Sequence, residues 1–282
     1  MANAETATIA LRNLKIWDGD GVADADTLII QGDLIAAVGD SSLVTANMAS
    51  RDCGGLWAIP GLIDAHVHLE LNPDDKNAPV GSQDHQQPLM VERAAAMVRA
   101  GITTARDLGG GAWQELTLRD RIARGELPGP RLLCSGQPIT TPTGHCHFWG
   151  GAAANVTEAE AVLDRQVARG VDLIKIMATG GRMTKGSSPS AAQFDVATVR
   201  ALVDRAGQHG LQVAAHCHGT AGIEVAAAAG VRTIEHCSWV GESGWASDYQ
   251  EPIAKLILDQ GIWVSPTVNR GWQRMLDAKD NQ

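Results

Sequence analysis

Two pairs of histidines, each spaced as His-x-His, stand where strands are predicted to end. They are His66 and His68 in the first pair and His216 and His218 in the second. Side chains two residues apart on a strand point to the same side, so the imidazoles of each pair share a face. Two neutral imidazoles side by side in an apolar setting are unfavourable unless they bind a cation, and Zn²⁺ is the usual partner. The spacing therefore predicts a divalent-metal site.

A lysine and one further histidine extend this pattern. Lys175 lies in the middle of the apolar segment Leu-Ile-Lys-Ile-Met, where an unpaired ammonium is unfavourable. A lysine in such a position tends to be deprotonated and functional. His236 follows another short strand, whereas His145 and His147 lie in a loop rich in glycine and proline. Without the loop pair, five histidines and a buried lysine on four strands favour a metal centre over structural roles.

The elements that must position these residues alternate between strand and helix, with about 30 to 45 residues in each pair. The predicted strands are residues 58–66, 102–107, 131–135, 173–177, 212–216, 233–235 and 262–265. The predicted helices include residues 87–100, 158–169, 195–209, 223–229 and 252–259. This alternation predicts a parallel sheet. Polar residues gather at the carboxyl ends of the strands, which favours a (β/α) barrel over a doubly wound sheet.

Local signals mark the ends of these elements. Thr157 and Ser190 are predicted to precede helices, because their hydroxyls suit helix N-termini. Glycines stand at the turns from helix into strand, as helix-ending residues should. These glycines are Gly101, Gly170, Gly210, Gly230 and Gly261.

The first part of the chain has a different pattern, with short β-rich runs at residues 8–16, 26–30 and 34–39 separated by turns of glycine and aspartate. This pattern predicts a small antiparallel unit. We therefore predict two domains: an incomplete small β-sandwich portion at residues 1–57, and a (β/α) barrel at residues 58–282 that contains strands one to seven.

Composition excludes several classes of partner. The formal net charge is −9, with no run rich in lysine or arginine, which argues against nucleic acid. No apolar stretch is long enough to span a membrane, and the first residues lack the pattern of a secretory signal. Five cysteines without CxxC spacing favour reduced thiols in a cytoplasm. We expect a cytoplasmic protein that binds a small-molecule substrate, and neither nucleic acid nor membrane.

Five motifs in order resemble the amidohydrolase superfamily. They are PGLIDAHVHLE, GITTARDLGG, IKIMATGG, VAAHCHG and TIEHC. Within that superfamily the chain is similar to the imidazolonepropionase-like and prolidase-type dipeptidase branch. The resemblance implies an α/β fold with a TIM-like (β/α) barrel of the metal-dependent hydrolase type, here lacking the eighth strand, and a small N-terminal β unit.

The resemblance also implies a ligand set for two divalent ions, which we expect to be zinc. His66 and His68 correspond to the metal pair of the first strand. His216 and His236 correspond to ligands of the second ion. Lys175 corresponds to a lysine that CO₂ converts to an anionic carbamate, which bridges both ions and removes the positive charge from the buried nitrogen.

Two further histidines take roles by the same resemblance. His218 stands where relatives place a residue that polarises the substrate carbonyl, and His145 matches a loop residue that faces the substrate. His147 stands where relatives often have an acid, and we assign it no role. The implied reaction is attack of a metal-activated hydroxide on an amide C–N bond, in a dipeptide or an N-acyl amino acid. A cyclic-amide or lactone hydrolase and an inactive, truncated metal-binding remnant remain alternatives.

One residue of the family pattern has no counterpart. The superfamily's general base is an aspartate at the end of the eighth strand, whereas Asp277 and Asp280 fall in a predicted polar helix. We therefore expect a fragment, a truncated gene product or half of a split protein that hydrolyses amides poorly on its own. Its open edge is expected to bind a complementing C-terminal segment or another copy of the chain.

Overall fold

The computed structural model describes residues 7–71 and 86–267. The chain divides into two compact units, Met1–Leu62 and Ile63–Gln282. The assignment of these parts as a sandwich portion and a barrel stays a prediction. The predicted polar helix with Asp277 and Asp280 lies outside the described residues.

The described part of the first unit, from residue 7 onward, contains six short strands. They are β1 (Thr8–Arg12), β2 (Lys15–Ile16), β3 (Thr27–Gln31), β4 (Leu34–Gly39), β5 (Ala49–Asp52) and β6 (Trp57–Ala58). One sheet has the order β4-β3-β1-β5 and a second pairs β2 with β6. The antiparallel prediction holds for β1, β3 and β4. It is wrong for the unit as a whole, because β1 pairs with β5 in parallel, as β2 does with β6.

The predicted continuous run over residues 8–16 is broken into two strands. Asn13, between them, has a left-handed backbone with φ 57°, a conformation that bends the chain and that asparagine tolerates better than most residues. The bend lets Leu14 and Ile16 pack with Leu28 in a small core of buried residues.

The described part of the second unit contains seven strands in two sheets. They are β7 (Leu62–Val67, which begins at the unit boundary), β8 (Ile102–Asp107), β9 (Arg131–Cys134), β10 (Ile174–Met177), β11 (Val213–Gly219), β12 (Thr233–Val240) and β13 (Trp263–Ser265). The sheet orders are β7-β8-β9 and β10-β11-β12-β13. Strands β8 and β9 are parallel, as are all neighbours in the second sheet. An isolated parallel bridge joins Ile139, in the segment after β9, to Ile176 of β10.

Helices lie between most of these strands. They are α1 (Gln86–Arg99), α2 (Gln114–Ala123), α3 (Val156–Ala168), α4 (Val196–Gln208), α5 (Thr220–Ala229) and α6 (Glu251–Asp259). The α/β architecture with parallel sheets is confirmed. Helix α2 was not predicted: it begins after Trp113, whose left-handed backbone supplies no side-chain cap, so the usual sequence signal for a helix start is absent.

Two helices begin at residues other than those predicted. The side chain of Asn155 accepts a hydrogen bond from a backbone N–H of the first turn of α3, and Asp195 does the same for α4. Thr157 and Ser190 are therefore wrong as the residues that precede these helices. A carboxylate or amide oxygen three residues before the capped N–H satisfies a donor that the helix leaves free.

The glycines predicted at turns into strands are confirmed. All five have left-handed backbones, with φ between 63° and 87°, a region that a Cβ disfavours. Each ends a helical segment so that the chain can enter the next strand. They are Gly101, Gly170, Gly210, Gly230 and Gly261.

The main hydrophobic core lies in the second unit, where the helices pack on the strands. All four residues of β10 are buried, and Ile174 and Ile176 are inaccessible to solvent. Lys175 therefore lies within an apolar layer. None of the helices that the structure describes is long and apolar enough to cross a membrane. All five cysteines are free.

Candidate metal centre

The structure brings six of the predicted site residues together in one histidine cluster. Neighbouring ring centroids in this cluster lie 4.5 to 5.2 Å apart. Its members are His66, His68, His145, His216, His218 and His236. They come from β7 and the residue just after it, from the loop that follows β9, and from β11 and β12. His147 is bound locally, with Nδ1 2.9 Å from the carbonyl oxygen of Gly144.

His66 and His68 have the geometry of two ligands of one ion. The Nδ1 atom of His66 lies 2.9 Å from Glu235 Oε2, and that of His68 lies 2.8 Å from the carbonyl oxygen of Gly109. Both partners accept hydrogen bonds, so each ring carries its proton on Nδ1 and a lone pair on Nε2. These two Nε2 atoms are 3.3 Å apart. Two Zn–N bonds of about 2.0–2.1 Å at a tetrahedral angle give about this separation.

A second group of ligand atoms lies on the neighbouring strands. One ring nitrogen from each of His216, His218 and His236 lies within 4.8 Å of the others. His216 Nε2 is 3.0 Å from the carbonyl oxygen of Gly180, so this ring donates through Nε2 and presents its Nδ1 lone pair. His236 Nδ1 lies 2.7 Å from Thr267 Oγ1, which leaves Nε2 of that ring free. The predicted division between ligands and the carbonyl-polarising His218 stays a prediction.

Lys175 lies among these histidines, with 1% of its surface exposed. Its Nζ has no hydrogen-bond partner among the described residues. Burial, partly opposed by the charge of Glu235, lowers the pKa of the lysine to about 8. A buried amine without a partner fits the expected carbamate, because that group carries no positive charge on nitrogen and adds two oxygens that bind metal.

Burial also keeps the histidines of the cluster neutral. It lowers the pKa of His68 and His218 to about 4 and that of His145 to about 3. The pKa values of His66 and His216 also lie well below the ordinary value of 6.5 for the same reason. Metal ligands must be neutral imidazoles, so at pH 7 these rings are in the form that binds an ion.

The backbone of β12 is irregular where it presents His236. The pairing of β11 with β12 shifts register between Cys217 and Gly219. On the facing strand, His236, Cys237 and Trp239 have left-handed backbones, with φ 69°, 48° and 50°. Such positions cost about 1–3 kcal/mol each and concentrate at functional sites. A bulge redirects side chains, and this one turns the His236 ring toward the cluster.

The loop that carries His145 is fastened to the segment after β10. The backbone N–H of His145 donates to Gln193 Oε1 at 2.7 Å, and its ring nitrogen Nδ1 lies 3.3 Å from Thr184 Oγ1. Gly181 lies against the imidazole, where a Cβ would come within 2.4 Å of its Cε1 atom. These contacts hold His145 beside His216, although the sequence places it in a loop.

Three charged residues of the site were missed from the sequence. Arg106 and Asp107 belong to the GITTARDLGG motif and Glu235 to TIEHC. A charge inside an otherwise apolar strand was the available signal, as it was for Lys175. Asp107 and Glu235 are 1% and 0% exposed.

A second group of buried acids lies behind the histidines. Both carboxyl oxygens of Glu115 and one of Glu70 lack hydrogen-bond partners among the described residues. Burial raises the pKa of Glu115 above its ordinary value, and the charge of Asp107 raises it further. The protonated form of Glu115 is therefore favoured in the folded protein.

The sequence profile of the amidohydrolase family matches residues 57–281. The chain belongs to this family, a class of hydrolytic enzymes, as the ordered motifs predicted. Members generally use divalent metals, and the histidine cluster that could hold them is present. The superfamily fold is a TIM-like barrel; the described strands show its parallel sheets, and a closed barrel stays a prediction.

Particular relatives are similar over much of the chain. Ochratoxinase of Aspergillus niger is 27% identical over 267 residues, which cover 81% of this chain and 53% of the relative. The chain thus spans about half the length of that relative. The structure of a Xaa-Pro dipeptidase with methionine in its active site has a TM-score of 0.80 and 27% identity, and covers 92% of this chain and 66% of its own. The structure of a prolidase complexed with N-methylphosphonate-L-proline has a TM-score of 0.78 and 26% identity. That match covers 93% of this chain and 66% of the prolidase chain.

Proposed function

We propose that this chain carries the metal centre of an amide C–N hydrolase whose substrate is a dipeptide or an N-acyl amino acid. The ligands of two divalent ions, zinc in the first place, are His66, His68, Lys175, His216 and His236. One observation carries the proposal. The Nε2 atoms of the first two histidines lie 3.3 Å apart, while the opposite nitrogen of each ring is occupied by an acceptor. Two lone pairs facing each other are stabilised by a cation between them.

The environment of Lys175 supports a carbamate. Only the neutral amine attacks CO₂, and a pKa of about 8 leaves about a tenth of the lysine neutral at pH 7. The nitrogen lone pair forms the new N–C bond and the nitrogen then loses a proton. The product is an anion, so the cost of burying an ammonium at this position disappears.

When bound, a pair of divalent ions lowers the pKa of a water molecule toward neutrality and polarises a carbonyl group. His218 can act on the same carbonyl. Its Nδ1 lies 2.9 Å from Ser238 Oγ, and a hydroxyl that donates to Nδ1 leaves the ring proton on Nε2. That N–H can donate to the substrate carbonyl oxygen as negative charge develops there.

His145 is suited to hydrogen bonding with the substrate. Its pKa of about 3, which burial lowers, makes the ring neutral at pH 7 but a weak base. Proton transfer near neutrality is most efficient for a group whose pKa is close to the working pH. The favoured role of His145 is therefore to position the substrate, as its place in the loop implied.

Arg182 supports a substrate that carries a carboxylate. It is exposed on the loop that follows β10 and makes no ion pair among the described residues. Its guanidinium lies 5.7 Å from the centroid of the Trp245 ring, which in turn contacts the His218 ring at 4.7 Å. A guanidinium binds a carboxylate in bidentate fashion, so dipeptides and N-acyl amino acids fit this edge of the site.

The metal content of purified protein tests the centre. After incubation with Zn²⁺ and bicarbonate, we expect about two ions per chain, as elemental analysis would report. His216→Ala should lose metal, whereas His209→Ala, at the exposed end of α4, should not. Protein that is folded yet holds no zinc would contradict the proposal.

Ligand binding tests the substrate class. N-methylphosphonate-L-proline should bind the zinc-loaded protein in calorimetric titrations and not the metal-free protein. Arg182→Gln should weaken this binding about tenfold or more, whereas Lys185→Gln, which alters an exposed cation of the same loop, should leave it unchanged. Preferential turnover of a cyclic amide or a lactone would favour those alternatives. Metal without binding or turnover would indicate a non-catalytic metal-binding protein.

A further inference from the structure

Strand β8 ends in two consecutive charged residues, Arg106 and Asp107. Consecutive side chains leave a strand on opposite faces, so the two residues reach different surroundings. Neither is a ligand in the proposed metal centre, on which this inference rests. Both connect to that centre through hydrogen bonds.

Arg106 reaches His66 through a buried carboxylate. Its Nη2 donates to Glu235 Oε1 at 2.7 Å, and the other oxygen of Glu235 lies 2.9 Å from His66 Nδ1. Thr233 also donates to Oε1, at 2.6 Å. The guanidinium is fixed in turn, because its Nε donates to the carbonyl oxygen of Ala65 at 2.7 Å. The side chain of Glu235 has no exposed surface, and buried polar oxygens need hydrogen-bond partners of this kind.

This arrangement decides which nitrogen of His66 carries the proton. Glu235 Oε1 accepts hydrogen bonds from Arg106 and Thr233, which leaves Oε2 as the atom that accepts from His66. The ring must therefore donate through Nδ1 and present Nε2 as a lone pair. A carboxylate–histidine pair of this kind fixes ring orientation and raises the basicity of a metal ligand.

Asp107 reaches His68 through the backbone of Gly109. Its Oδ1 accepts from the N–H of Gly109 and its Oδ2 from the N–H of Leu69, both at 2.9 Å. The carbonyl oxygen of the same Gly109 lies 2.8 Å from His68 Nδ1. Gly109 has φ 135°, and a Cβ there would lie 2.4 Å from Pro138 Cγ. Only glycine suits this position, and the peptide group that contains the Gly109 carbonyl is held by the hydrogen bond from the Gly110 N–H to the carbonyl oxygen of Gly136 at 3.1 Å.

We propose that β8 sets the tautomer and direction of both histidines of the first metal pair, Arg106 through Glu235 and Asp107 through the backbone of Gly109. The three charged residues are positioning residues, since they act on the ion only through His66 and His68. The two Nε2 lone pairs then converge before any metal binds. The fold, rather than the ion, organises this half of the site.

Nuclear magnetic resonance of imidazole ¹⁵N nuclei in the metal-free protein at pH 8 tests the proposal directly. Both His66 and His68 should be Nδ1–H tautomers in the wild type. In Glu235→Gln the side-chain amide can no longer accept from both Arg106 and His66, so we expect the Nε2–H tautomer of His66 to appear. A merely structural role of Glu235 would leave the tautomer unchanged.

Asp172→Asn is the matched control. This carboxylate also accepts from an arginine and a backbone N–H, those of Arg119 at 2.7 Å and Cys134 at 2.8 Å, but no histidine contacts it. The control should leave both tautomers as they are in the wild type. It therefore separates loss of an arginine–carboxylate pair from loss of the link to the histidines.

Zinc affinity, measured by competition with a chelator on protein shown to be folded by circular dichroism, gives a second readout. Glu235→Gln and Asp107→Asn should each weaken binding about 10–100-fold, and Asp172→Asn should not. Arg106→Lys keeps the charge and loses the forked geometry, so it should weaken binding less than Glu235→Gln does.

The outcomes separate this inference from the proposed function. A wild type that binds no zinc contradicts the proposed function, while the tautomers still test the inference. Unchanged tautomers and unchanged zinc affinity in folded Asp107→Asn and Arg106→Lys would overturn the inference, even if Glu235→Gln fails to fold.

Discussion

Replacing Lys175 with methionine should stabilise the metal-free protein while it abolishes the bridged metal pair. Methionine has a similar length and no charge, so it fills the same space in the apolar layer of β10. The lysine Nζ, by contrast, is buried without a partner among the described residues. In the absence of metal and bicarbonate, removal of this amine removes an uncompensated desolvation cost.

The magnitude follows from the proton affinity of the lysine. Burial lowers its pKa from 10.5 to about 8, and each tenfold change in proton affinity corresponds to about 1.4 kcal/mol. The wild type is therefore less stable than the variant by about 3 kcal/mol at pH 7. Between pH 8 and 10.5 the unfolded chain binds more protons than the folded protein does. Wild-type stability rises with pH in this window, and the difference between the proteins narrows.

Urea unfolding in the presence of a chelator at pH 7 and at pH 10 measures this difference. Lys255→Met, at an exposed lysine of α6, is the matched control and should change stability little at either pH. With zinc and bicarbonate the order should reverse. At an ion concentration about one thousand times its dissociation constant, the wild type gains about 4.1 kcal/mol, which exceeds its deficit of about 3 kcal/mol, and the variant gains nothing. A variant less stable than the wild type in chelator at pH 7 would refute the reasoning, because the ammonium would then have an unrecognised partner.

Further changes test the packing and the charge of the site. Gly181→Ala should destabilise the protein by about 1–3 kcal/mol in thermal unfolding and shift the His145 imidazole resonances, because the new Cβ would meet that ring. The control is Gly207→Ala, in a helix with open space at this point. It should stabilise the protein by about 0.5–1 kcal/mol. A Gly181→Ala protein as stable as the wild type would show that the loop moves freely. Glu115→Gln should raise the melting temperature increasingly as the pH rises above 4.5. The raised pKa of Glu115 means that stability present with the protonated carboxyl is lost as it ionises, and glutamine cannot ionise. Glu224→Gln, at an exposed helical position, should show no such trend, and parallel pH profiles for the two variants would contradict the assignment.

Strand periodicity carried much of the prediction of the fold. Residues 102–107 were predicted as a strand and form β8, because apolar and β-branched residues there are bounded by clear turn signals. The ends of β11 and β12 were predicted too early. Both strands continue through the polar residues of the site, where hydrogen bonding between strands outweighs the polarity of individual side chains. The break at Asn13 was missed, because a single left-handed residue leaves little trace in a β-rich run.

The metal-binding histidines were predictable because their spacing on a strand directly determines which side they face. The residues that orient these histidines were not predictable from the sequence. Glu235 is 169 residues from His66 in sequence, and nothing local to either residue records the contact. Asp107 acts on His68 through backbone atoms of Gly109. Every residue type has these atoms, so the sequence gives no signal of the contact. His145 lies in a loop, and its place beside His216 depends on contacts with Gln193 and Thr184 that only the folded chain brings together.

Few backbone contacts connect the two sheets formed by the described strands of the second unit. Within the described residues, the backbone contacts between β9 with the segment after it and β10 with the residues before it include the bridge from Ile139 to Ile176 and the hydrogen bond from the Asp172 N–H to the Cys134 carbonyl oxygen. The proposed ligands come from both sheets: His66 and His68 lie at the end of β7, and Lys175 lies in β10. Bound ions would therefore hold the two sheets together, in addition to their part in catalysis. Separation of the two sheets should therefore require more free energy in the loaded protein than in the stripped protein.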